Sequence, residues 1–336
     1  MAELCHGEPP DDAVRAIIVP GLVNAHTHVA DSVAYPAPRG SVEELVAPPD
    51  GYKHRVLRAT SAAAKSEAMR MAMELMLRTG TTLFADFREE GIEGVNVLVK
   101  SIHARSPRAV ILGRPATMDV SDRDIDLLLK VAQGIGMSSV RDWPLDFLER
   151  LSRRAHDQGK LFAIHASESA REDIDTVLGL APDFVVHMTK ASEHDIAACV
   201  DRRVPIVVCP RSNAHYGLTP DLPRMLKMGA TVALGTDNGM LCRPDMLEEL
   251  KAAYAIGLRL GGMTPGDAVS MATFGGRKVL NQMGKILTKA SLDDDLAAVR
   301  VKGNDPLLEL VTSAGSQDVV AVVKGGRVWR AENWKR

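Results

Sequence analysis

The sequence contains few aromatic residues, few cysteines and no long apolar run. Aromatic side chains make up 4% of its 336 residues, whereas hydrophobic residues make up 46% and charged residues 25%. This is the composition of an ordinary globular protein, and a chain of this length buries enough apolar surface to be stable without disulfides. Because no stretch of about 18 apolar residues is present, we expect neither a membrane-spanning helix nor a membrane partner.

The charges are balanced and dispersed along the chain. The formal net charge is −2, and Lys and Arg form no block of like charge. Proteins that bind nucleic acid concentrate positive charge against the phosphate backbone. We therefore expect a small molecule, and not nucleic acid, as the partner. A homo-oligomer stays open, because nothing in the sequence specifies an interface.

The cysteines follow neither a metal-binding nor a disulfide pattern. Cys5, Cys199, Cys209 and Cys242 form no Cys-x-x-Cys pair and have no regular spacing. Isolated cysteines of this kind are typical of a reducing compartment. The first residues also lack the basic and apolar segments of a signal peptide. We therefore expect a cytoplasmic protein.

What the sequence does contain is an alternation of short apolar runs with longer helical patterns, such as 66–78, 145–157 and 246–260. The strand candidates are Ile17–Val19, Thr81–Asp86, Ala109–Leu112, Leu161–His165, Phe184–His187, Ile206–Cys209 and Thr231–Asp237. Near-continuous apolar strands between helices predict a parallel sheet that is covered on both faces. About eight such units favour a closed (β/α)8 barrel, although an open doubly wound sheet has the same periodicity.

Two further stretches complete the predicted organisation. The fourth strand is expected within residues 134–142 and to end at Arg141–Asp142, although this stretch is short and rich in glycine. Residues 296–301 and 319–329 predict strands, the latter a hairpin with a Gly-Gly turn. We expect a short N-terminal segment at 1–16 that belongs to a small β unit, a barrel at 17–285 and a small β subdomain at 286–336.

Polar side chains follow several of the predicted strands. His26 and His28 come after the first strand, His165 ends the fifth, His187 ends the sixth and Asp237 ends the last. The carboxyl ends of barrel strands form the catalytic face, so these side chains are expected at one rim. Two histidines at i, i+2 on a strand point to the same face, and imidazole is a preferred ligand of zinc and iron. The pattern therefore predicts a metal site.

The segments around these residues resemble known motifs. Residues 20–28, Pro-Gly-Leu-Val-Asn-Ala-His-Thr-His, closely resemble the first-strand signature of the amidohydrolase superfamily. His165-Ala-Ser-Glu168, Cys209-Pro-Arg-Ser-Asn213 and Gly235-Thr-Asp-Asn238 resemble its branch of cytosine deaminases, guanine deaminases and chlorohydrolases. The resemblance extends from residue 17 to the C-terminus.

The resemblance implies roles for individual residues. It implies that one divalent ion, zinc in the first place and otherwise iron or manganese, is held by His26, His28, His165 and Asp237. Asp237 would also accept a proton from the attacking water, Glu168 would transfer protons, and His187 would stabilise the attacked group. Binuclear members of the superfamily use a carbamylated lysine at the fourth strand. Here Lys130 lies in a helical stretch, so we expect a mononuclear site.

Candidate substrate contacts lie in loops at the same rim. The candidates are Arg39, Tyr52, His54, Arg211 and Asn213. The first three belong to a long segment, residues 30–54, and long loops after barrel strands are often functional. Arg211 can bind an anionic group or pair with a barrel carboxylate, and both interpretations stay open. Residues 29–32, Val-Ala-Asp-Ser, replace the Leu-Arg-Gly motif of thioadenosine-type deaminases, which leaves the substrate undetermined.

The resemblance implies a metal-dependent hydrolase of carbon–nitrogen bonds. The leading hypothesis is a hydrolytic deaminase of an amino-substituted heterocycle, such as a nucleobase, a pterin or a triazine-like ring. The same residues would serve to open a cyclic amide of the imidazolone type, so this alternative stays open. A third hypothesis is a catalytically silent barrel that acts as a binding or scaffold protein. It would be favoured by the loss of a ligand or of Glu168, and all of them are present.

Overall fold

The computed structural model describes residues 13–281 and 294–332 of the protein. In these ranges the chain alternates strands with helices, as the apolar runs predict. In chain order, the strands are β1 (Ala16–Pro20), β2 (Leu22–His28), β3 (Thr81–Arg88), β4 (Arg108–Gly113), β5 (Gly134–Met137), β6 (Leu161–Ala166), β7 (Phe184–His187), β8 (Ile206–Val208), β9 (Val232–Leu234), β10 (Asp237–Asn238), β11 (Leu296–Arg300), β12 (Val319–Lys324) and β13 (Arg327–Arg330).

The helices connect the strands, and several begin at a side-chain cap. Ser121, Ser192 and Thr264 each accept a hydrogen bond from the backbone N–H three residues later, which satisfies a donor that the first helical turn leaves free. In chain order, the α-helices are α1 (Val42–Leu45), α2 (Tyr52–Ala59), α3 (Ala62–Arg78), α4 (Gly91–Ser101), α5 (Asp122–Val131), α6 (Leu145–Asp157), α7 (Ile174–Gly179), α8 (Glu193–Asp201), α9 (Pro210–His215), α10 (Leu222–Lys227), α11 (Met246–Leu260), α12 (Pro265–Ser270), α13 (Gly276–Leu280) and α14 (Pro306–Thr312).

The parallel strands β2 to β10 form one sheet that closes on itself. Each strand pairs with the next from β2 to β9, and β10 pairs with β2. Only Gly235 and Thr236 separate β9 from β10, so the two segments together form the eighth barrel strand. Across the closure, Asn24 Nδ2 donates to the hydroxyl group of Thr236 over 2.8 Å, and Asn24 Oδ1 accepts from the backbone N–H of Thr236 over 2.9 Å. Gly235 is needed there, because a Cβ atom would lie 2.7 Å from the Cβ of His26. The prediction of a (β/α)8 barrel is confirmed.

The first barrel strand is β2, and the prediction that Ile17–Val19 forms it was wrong. Those residues lie in β1, which pairs antiparallel with β11 in a separate four-stranded sheet of order β1–β11–β12–β13. Within this run Val19 is buried whereas Ile18 is 66% exposed. That alternation suits an edge strand with one solvent face, whereas a barrel strand is covered on both faces.

The small sheet next to the barrel is built as expected from the C-terminal strands, with β1 added at its edge. Gly325 and Gly326 join β12 to β13 with φ angles of +57° and +75°, the left-handed conformation that a two-residue hairpin turn requires. The division of the chain at residues 16 and 285 stays a prediction. Residues 1–12, 282–293 and 333–336 lie outside the described residues.

Two other segments differ from the sequence-based prediction. The fourth barrel strand, β5, lies in the expected stretch but ends at Met137, before Arg141–Asp142. The segment 30–54 contains a 3-10 helix (Val29–Ala34), α1 and the first residues of α2, and the irregular stretches 35–41 and 46–51 connect them. Among residues 13–281 and 294–332, no helix is both long and apolar enough to cross a membrane.

Candidate active site

Three imidazoles and one carboxylate meet at the carboxyl ends of the barrel strands. His26 Nε2 lies 3.2 Å from Asp237 Oδ1, and His28 Nε2 lies 3.5 Å from the same oxygen. His165 Nε2 lies 3.2 Å from His26 Nε2. One ligand atom of each residue lies within 4.8 Å of those of the other three, and all four side chains are buried. The sequence therefore identified a real spatial cluster.

The strands bring this cluster together through simple geometry. His26 and His28 alternate with Thr27 on β2, so both rings lie on one face with centroids 4.9 Å apart. The ring of Phe87 packs edge-on against His26 and His165 at 4.4 and 5.2 Å. His165 Nδ1 donates to the backbone carbonyl oxygen of Met137 over 2.7 Å. This bond leaves Nε2 of His165 directed at the centre of the cluster.

The protonation states suit a cation at this point. Burial lowers the pKa of His26 and of His165, and it lowers the pKa of His28 to about 3. Burial alone would raise the pKa of Asp237, but its hydrogen bond to His26 and the neighbouring imidazoles hold it well below its usual range. Three neutral nitrogen donors and one carboxylate are the donor set of a catalytic zinc or iron site. The residues present therefore fit a divalent metal ion.

Two further polar side chains stand beside the cluster. Glu168 lies 3.5 Å from His187 Nε2, and both have a polar atom within 4.8 Å of Asp237. Burial raises the pKa of Glu168 to about 7, so this carboxyl group exchanges its proton near neutral pH. Asn213 Nδ2 donates to His187 Nδ1 over 3.2 Å and orients that ring.

Backbone strain is concentrated at the same strand ends. Ser167, His187 and Asp237 have φ angles of +49°, +78° and +59°. Non-glycine residues rarely adopt this left-handed conformation, and such residues persist where the surrounding structure enforces them, often at active sites. Glu172 holds one of these positions, because it accepts the backbone N–H of Ser167 over 2.6 Å and also binds Ser139. The loop that carries Glu168 is thereby tied to the end of β5.

An open cleft leads from the surface to the cluster. Its volume is about 230 Å³, and His28, His165, His187, Glu168 and Asp237 lie at its walls. Residues of the α1 region and of the segment after β5 complete the lining. A cleft whose walls carry several titratable groups has the properties of a small-molecule site.

The comparison with known proteins decides the family. The profile of the amidohydrolase family matches residues 17–329. The chain belongs to the amidohydrolase family. The resemblance seen in the motifs is thus confirmed, and the protein is a hydrolase that acts on carbon–nitrogen bonds.

Several relatives of this amidohydrolase cover most of its length. An uncharacterized protein of Methanocaldococcus jannaschii is 32% identical over 82% of this chain and 76% of that protein. A 5-methylthioadenosine/S-adenosylhomocysteine deaminase of Haloquadratum walsbyi is 26% identical over 84% of this chain and 71% of the deaminase. The crystal structure of an adenosine deaminase from Xanthomonas campestris with bound zinc has a TM-score of 0.78 and 21% identity, and the match covers 93% of this chain and 80% of that one.

The five residues predicted to contact the substrate of this amidohydrolase have different surroundings in the structure. Arg211 donates to the backbone carbonyl of Arg243 and lies 3.6 Å from Glu249, so the barrel-carboxylate interpretation describes its contacts. Asn213 contacts His187 and is buried. Of the other three residues, Arg39 is exposed, Tyr52 packs against an apolar cluster, and His54 hydrogen-bonds the carbonyl oxygen of Val46. None of the five predicted contacts is among the residues that line the cleft leading to the cluster.

Sequence reasoning missed a group of charged side chains next to His28, here called the buried charge cluster. Its members are Asp31, Lys53, Asp86, Arg88 and Glu89, and each is less than 5% exposed. Lys53 Nζ lies 2.7 Å from Glu89 and 3.3 Å from Asp31, whereas Arg88 contacts Glu89 at 2.5 Å and Asp86 at 3.3 Å. Three of the members, Asp86, Arg88 and Glu89, lie at the end of β3, so the strand-end argument applied to His165 would have identified them.

The opposite charges in this cluster keep Lys53 and Glu89 ionised despite their burial. Burial alone would lower the pKa of Lys53, but Asp31 and Glu89 raise it above its ordinary value. Burial alone would raise the pKa of Glu89, but Lys53, His28 and Arg88 hold it well below its usual range. His28, Asp31 and Glu89 form a group that by itself fits a cation. The ammonium group of Lys53 already lies among them, within 3.4 Å of each.

Proposed function

We propose that this amidohydrolase is a metal-dependent deaminase of an amino-substituted heterocycle, such as a nucleobase, a pterin or a triazine-like ring. The observation that carries the proposal is the grouping of Glu168, His187 and Asp237 within 4.8 Å, beside the three imidazoles and at the base of one cleft. Deamination by water needs a proton acceptor, a proton donor and a group that steadies the attacked atom, and this grouping supplies one of each.

The metal site of the proposal is mononuclear. His26, His28, His165 and Asp237 hold one divalent ion, zinc in the first place and otherwise iron or manganese, which supplies Lewis-acid activation of water at neutral pH. The zinc in the adenosine deaminase from Xanthomonas campestris supports the choice of metal. The end of β5 supports a single ion, because that strand carries no lysine and Lys130 lies in α5.

The side chains divide the proton transfers of the reaction. Asp237 accepts a proton from the attacking water while its other oxygen is held by the hydroxyl group of Ser212, which donates over 2.5 Å. Glu168 delivers its proton to the ring nitrogen, takes up the second proton of the attacking water and passes it to the departing amine, after which the proton held by Asp237 restores the acid form of Glu168. His187, oriented by Asn213, donates to the attacked group. The water oxygen stays on the ring carbon as a carbonyl, and the amine leaves as ammonia.

The substrate is proposed as a ring and not as a particular nucleoside. Relatives named 5-methylthioadenosine/S-adenosylhomocysteine deaminase support the chemistry of amine removal from a heterocycle. This chain nevertheless carries Val-Ala-Asp-Ser at residues 29–32, and Asp31 there is committed to the ion pair with Lys53. A residue in this position is not free to contact a substrate, so the substrate of those relatives does not transfer directly.

Metal content and ammonia release test the proposal together. The wild-type chain and the His26→Ala and Asp237→Ala variants are purified without chelator, analysed by elemental mass spectrometry and assayed against aminopurines, aminopyrimidines, aminopterins and aminotriazines. One ion per wild-type chain, lost in both variants, together with ammonia from at least one ring, supports a mononuclear deaminase. Two ions per chain contradict the mononuclear site. Ring opening without ammonia supports the cyclic-amide alternative, whereas failure to load zinc, iron or manganese favours a scaffold.

A further inference from the structure

The strand β6 by itself would direct Glu168 away from the cleft. Ile164 and Ala166 pack in the apolar layer between the barrel and its helices, whereas Ala163 packs with inward residues of the other strands and His165 joins the donor cluster. Side chains alternate between two faces along a strand. A strand that continued beyond Ala166 would therefore place Glu168 on the side of Ile164 and Ala166.

The backbone turns at Ser167 instead. Its φ angle is +49°, in the left-handed region that non-glycine residues rarely adopt. After this turn Glu168 lines the same cleft as His165, and its Oε1 atom lies 3.5 Å from His187 Nε2. The position of Glu168 thus depends on a backbone conformation that serine does not favour by itself, so the surrounding structure has to enforce it.

Among the described residues, three hydrogen bonds hold Ser167, and two of them involve Glu172. The backbone N–H of Ser167 donates to Glu172 Oε2 over 2.6 Å, and the backbone N–H of Glu172 donates to Ser167 Oγ over 3.0 Å. The third joins the N–H of Lys190 to the carbonyl oxygen of Ser167 over 2.8 Å. The other oxygen of Glu172 accepts from the hydroxyl group of Ser139. Glu172 is 7% exposed, and a donor on each oxygen holds its carboxylate in one orientation.

We propose that Glu172 is the positioning residue of Glu168: it holds Ser167 in the left-handed conformation and thereby turns the carboxyl group of Glu168 into the cleft. The inference rests on the proposed role of Glu168 in proton transfer. Glu172 acts through geometry and not through its charge, because both of its oxygens accept from neutral donors. Its length matters, since the carboxylate has to reach Ser167 and Ser139 at the same time.

Variants of Glu172 separate length from charge. Glu172→Gln keeps the length, because its amide oxygen can accept from Ser167 and its nitrogen can donate to Ser139 Oγ. Glu172→Asp keeps the charge but is one methylene shorter. The measurement is kcat for ammonia release by zinc-loaded enzyme, with whichever aminopurine, aminopyrimidine, aminopterin or aminotriazine the wild type deaminates.

We expect Glu172→Gln to stay within about 3-fold of the wild-type kcat, and Glu172→Asp and Glu172→Ala to lose about 10- to 100-fold, because a proton donor displaced by about 1 Å is that much less effective. KM should change less than kcat. A Glu172→Asp variant that is more active than Glu172→Gln overturns the proposal, since charge and not reach would then be required.

Asp183 provides the matched control, because it makes the same kind of bond at the opposite end of the same strand. It accepts the backbone N–H of Phe162 over 2.7 Å, near the start of β6. Asp183→Ala is expected to lower the unfolding midpoint and to leave kcat at the wild-type value. Equal losses of kcat in Asp183→Ala and Glu172→Ala would show a general effect of loosening β6 and would overturn the proposal.

A second substitution, at Ser167, tests how the effect arises. Glycine adopts positive φ angles about as readily as negative ones, so it needs less support in the left-handed conformation. Ser167→Gly is therefore expected to restore part of kcat when it is combined with Glu172→Ala. A double variant no more active than Glu172→Ala contradicts the claim that Glu172 acts through the backbone of Ser167.

Hydrogen exchange of the loop gives a readout that needs no substrate. The amide of Ser167, followed in peptides that cover residues 166–172, should exchange faster by roughly 10-fold or more in Glu172→Ala and Glu172→Asp, and at the wild-type rate in Asp183→Ala. Wild-type exchange in all three variants overturns the proposal. If Glu172→Ala does not fold, the comparison of Glu172→Asp with Glu172→Gln decides.

Glu168→Gln distinguishes failure of the inference from failure of the proposed function. If Glu168→Gln lowers kcat and Glu172→Ala does not, Glu172 has no positioning role and the proposed function stands. If Glu168→Gln retains the wild-type kcat, the proton-transfer role of Glu168 fails, and the inference fails with it. If no ring releases ammonia, the exchange rate of the Ser167 amide still decides whether Glu172 holds the turn.

Discussion

The two sides of the candidate metal centre are supported in opposite ways. On the side of β2 and β3, His28 contacts the buried charge cluster, in which three carboxyl groups pair with two cationic side chains. On the side of β5 to β10, His165 is held by a backbone carbonyl, His187 by an amide and Asp237 by a hydroxyl group. The first arrangement depends on charged partners that are all required together, whereas the second depends on neutral bonds that are nearly independent.

This difference has an energetic consequence. Removing one partner from a buried set of charges leaves the others uncompensated in a medium of low dielectric constant, which costs more than the interaction itself contributed. Removing a neutral donor leaves only one unsatisfied polar atom. We therefore expect substitutions on the charged side to affect folding first, and substitutions on the neutral side to affect catalysis first.

The largest loss of stability is expected from Arg88→Met. Asp86 and Glu89 are both almost fully buried, and the substitution removes the cation that they share. The free energy of unfolding should therefore fall by about 3–5 kcal/mol. Chemical denaturation of the variant and the wild type measures this change in the free energy of unfolding. Arg202→Met removes a half-exposed pair with Asp175 and should cost less than about 1 kcal/mol. Equal losses in the two variants would show that burial does not amplify the charged contacts.

A large catalytic effect is expected on the neutral side. Glu168→Gln keeps the size of the side chain but removes its exchangeable proton, so kcat for ammonia release should fall by roughly 10²- to 10⁴-fold. Metal content and unfolding midpoint should stay at the wild-type values. Glu193→Gln, at an exposed ion pair, serves as control. A stability loss comparable to that of Arg88→Met would contradict the assignment of Glu168 to the chemistry.

The buried acids near the candidate metal centre differ in the direction of their pKa shifts. Burial raises the pKa of Glu249 from 4.5 to about 7 and that of Asp31, on the charged side, to about 7, whereas Lys53, His28 and Arg88 hold the pKa of Glu89 well below its usual range. The folded chain therefore binds a proton at Glu249 that the unfolded chain has released between these values. The stability that this proton contributes is present below pH 4.5 and is lost as the pH rises through 7, a change on the order of 3 kcal/mol.

The variant Glu249→Gln isolates this effect, because its amide does not titrate. As the pH is raised from 5 to 8, we expect the denaturant midpoint of wild-type unfolding to decrease more than that of Glu249→Gln. The two proteins are compared at equal metal content. Parallel pH profiles for the two proteins would refute a protonated Glu249.

The smallest effect is expected from Asn213→Ala. The loss of its amide leaves His187 Nδ1 without a partner and should reduce stability by about 1–2 kcal/mol, measured by chemical denaturation. The exposed Asn96 provides a control, since Asn96→Ala should change stability by no more than about 0.5 kcal/mol. A loss as large as that of Arg88→Met would remove the distinction between the two sides.

The site and the barrel were predictable from local information to different extents. His26 and His28 share a face because of the period of a strand, and His165 and Asp237 join them because parallel strands end at one rim. Ile17–Val19 was misassigned because an apolar run does not reveal its neighbour, which here is β11, nearly 280 residues later. Arg211 was equally ambiguous, since only its distance to Glu249 distinguishes a structural pair from a substrate contact.

The sequence by itself determined the period of strands and helices, the residue types at the strand ends and hence the donor set of the candidate metal site. Only the tertiary structure decided which charges neutralise each other. Lys53, Glu89 and His28 come from three separate segments, and their protonation depends on burial and on distances of a few ångströms. Periodicity is a local property of the chain, whereas desolvation and charge pairing are properties of the folded arrangement, and for that reason the support of His28 was not visible in the sequence.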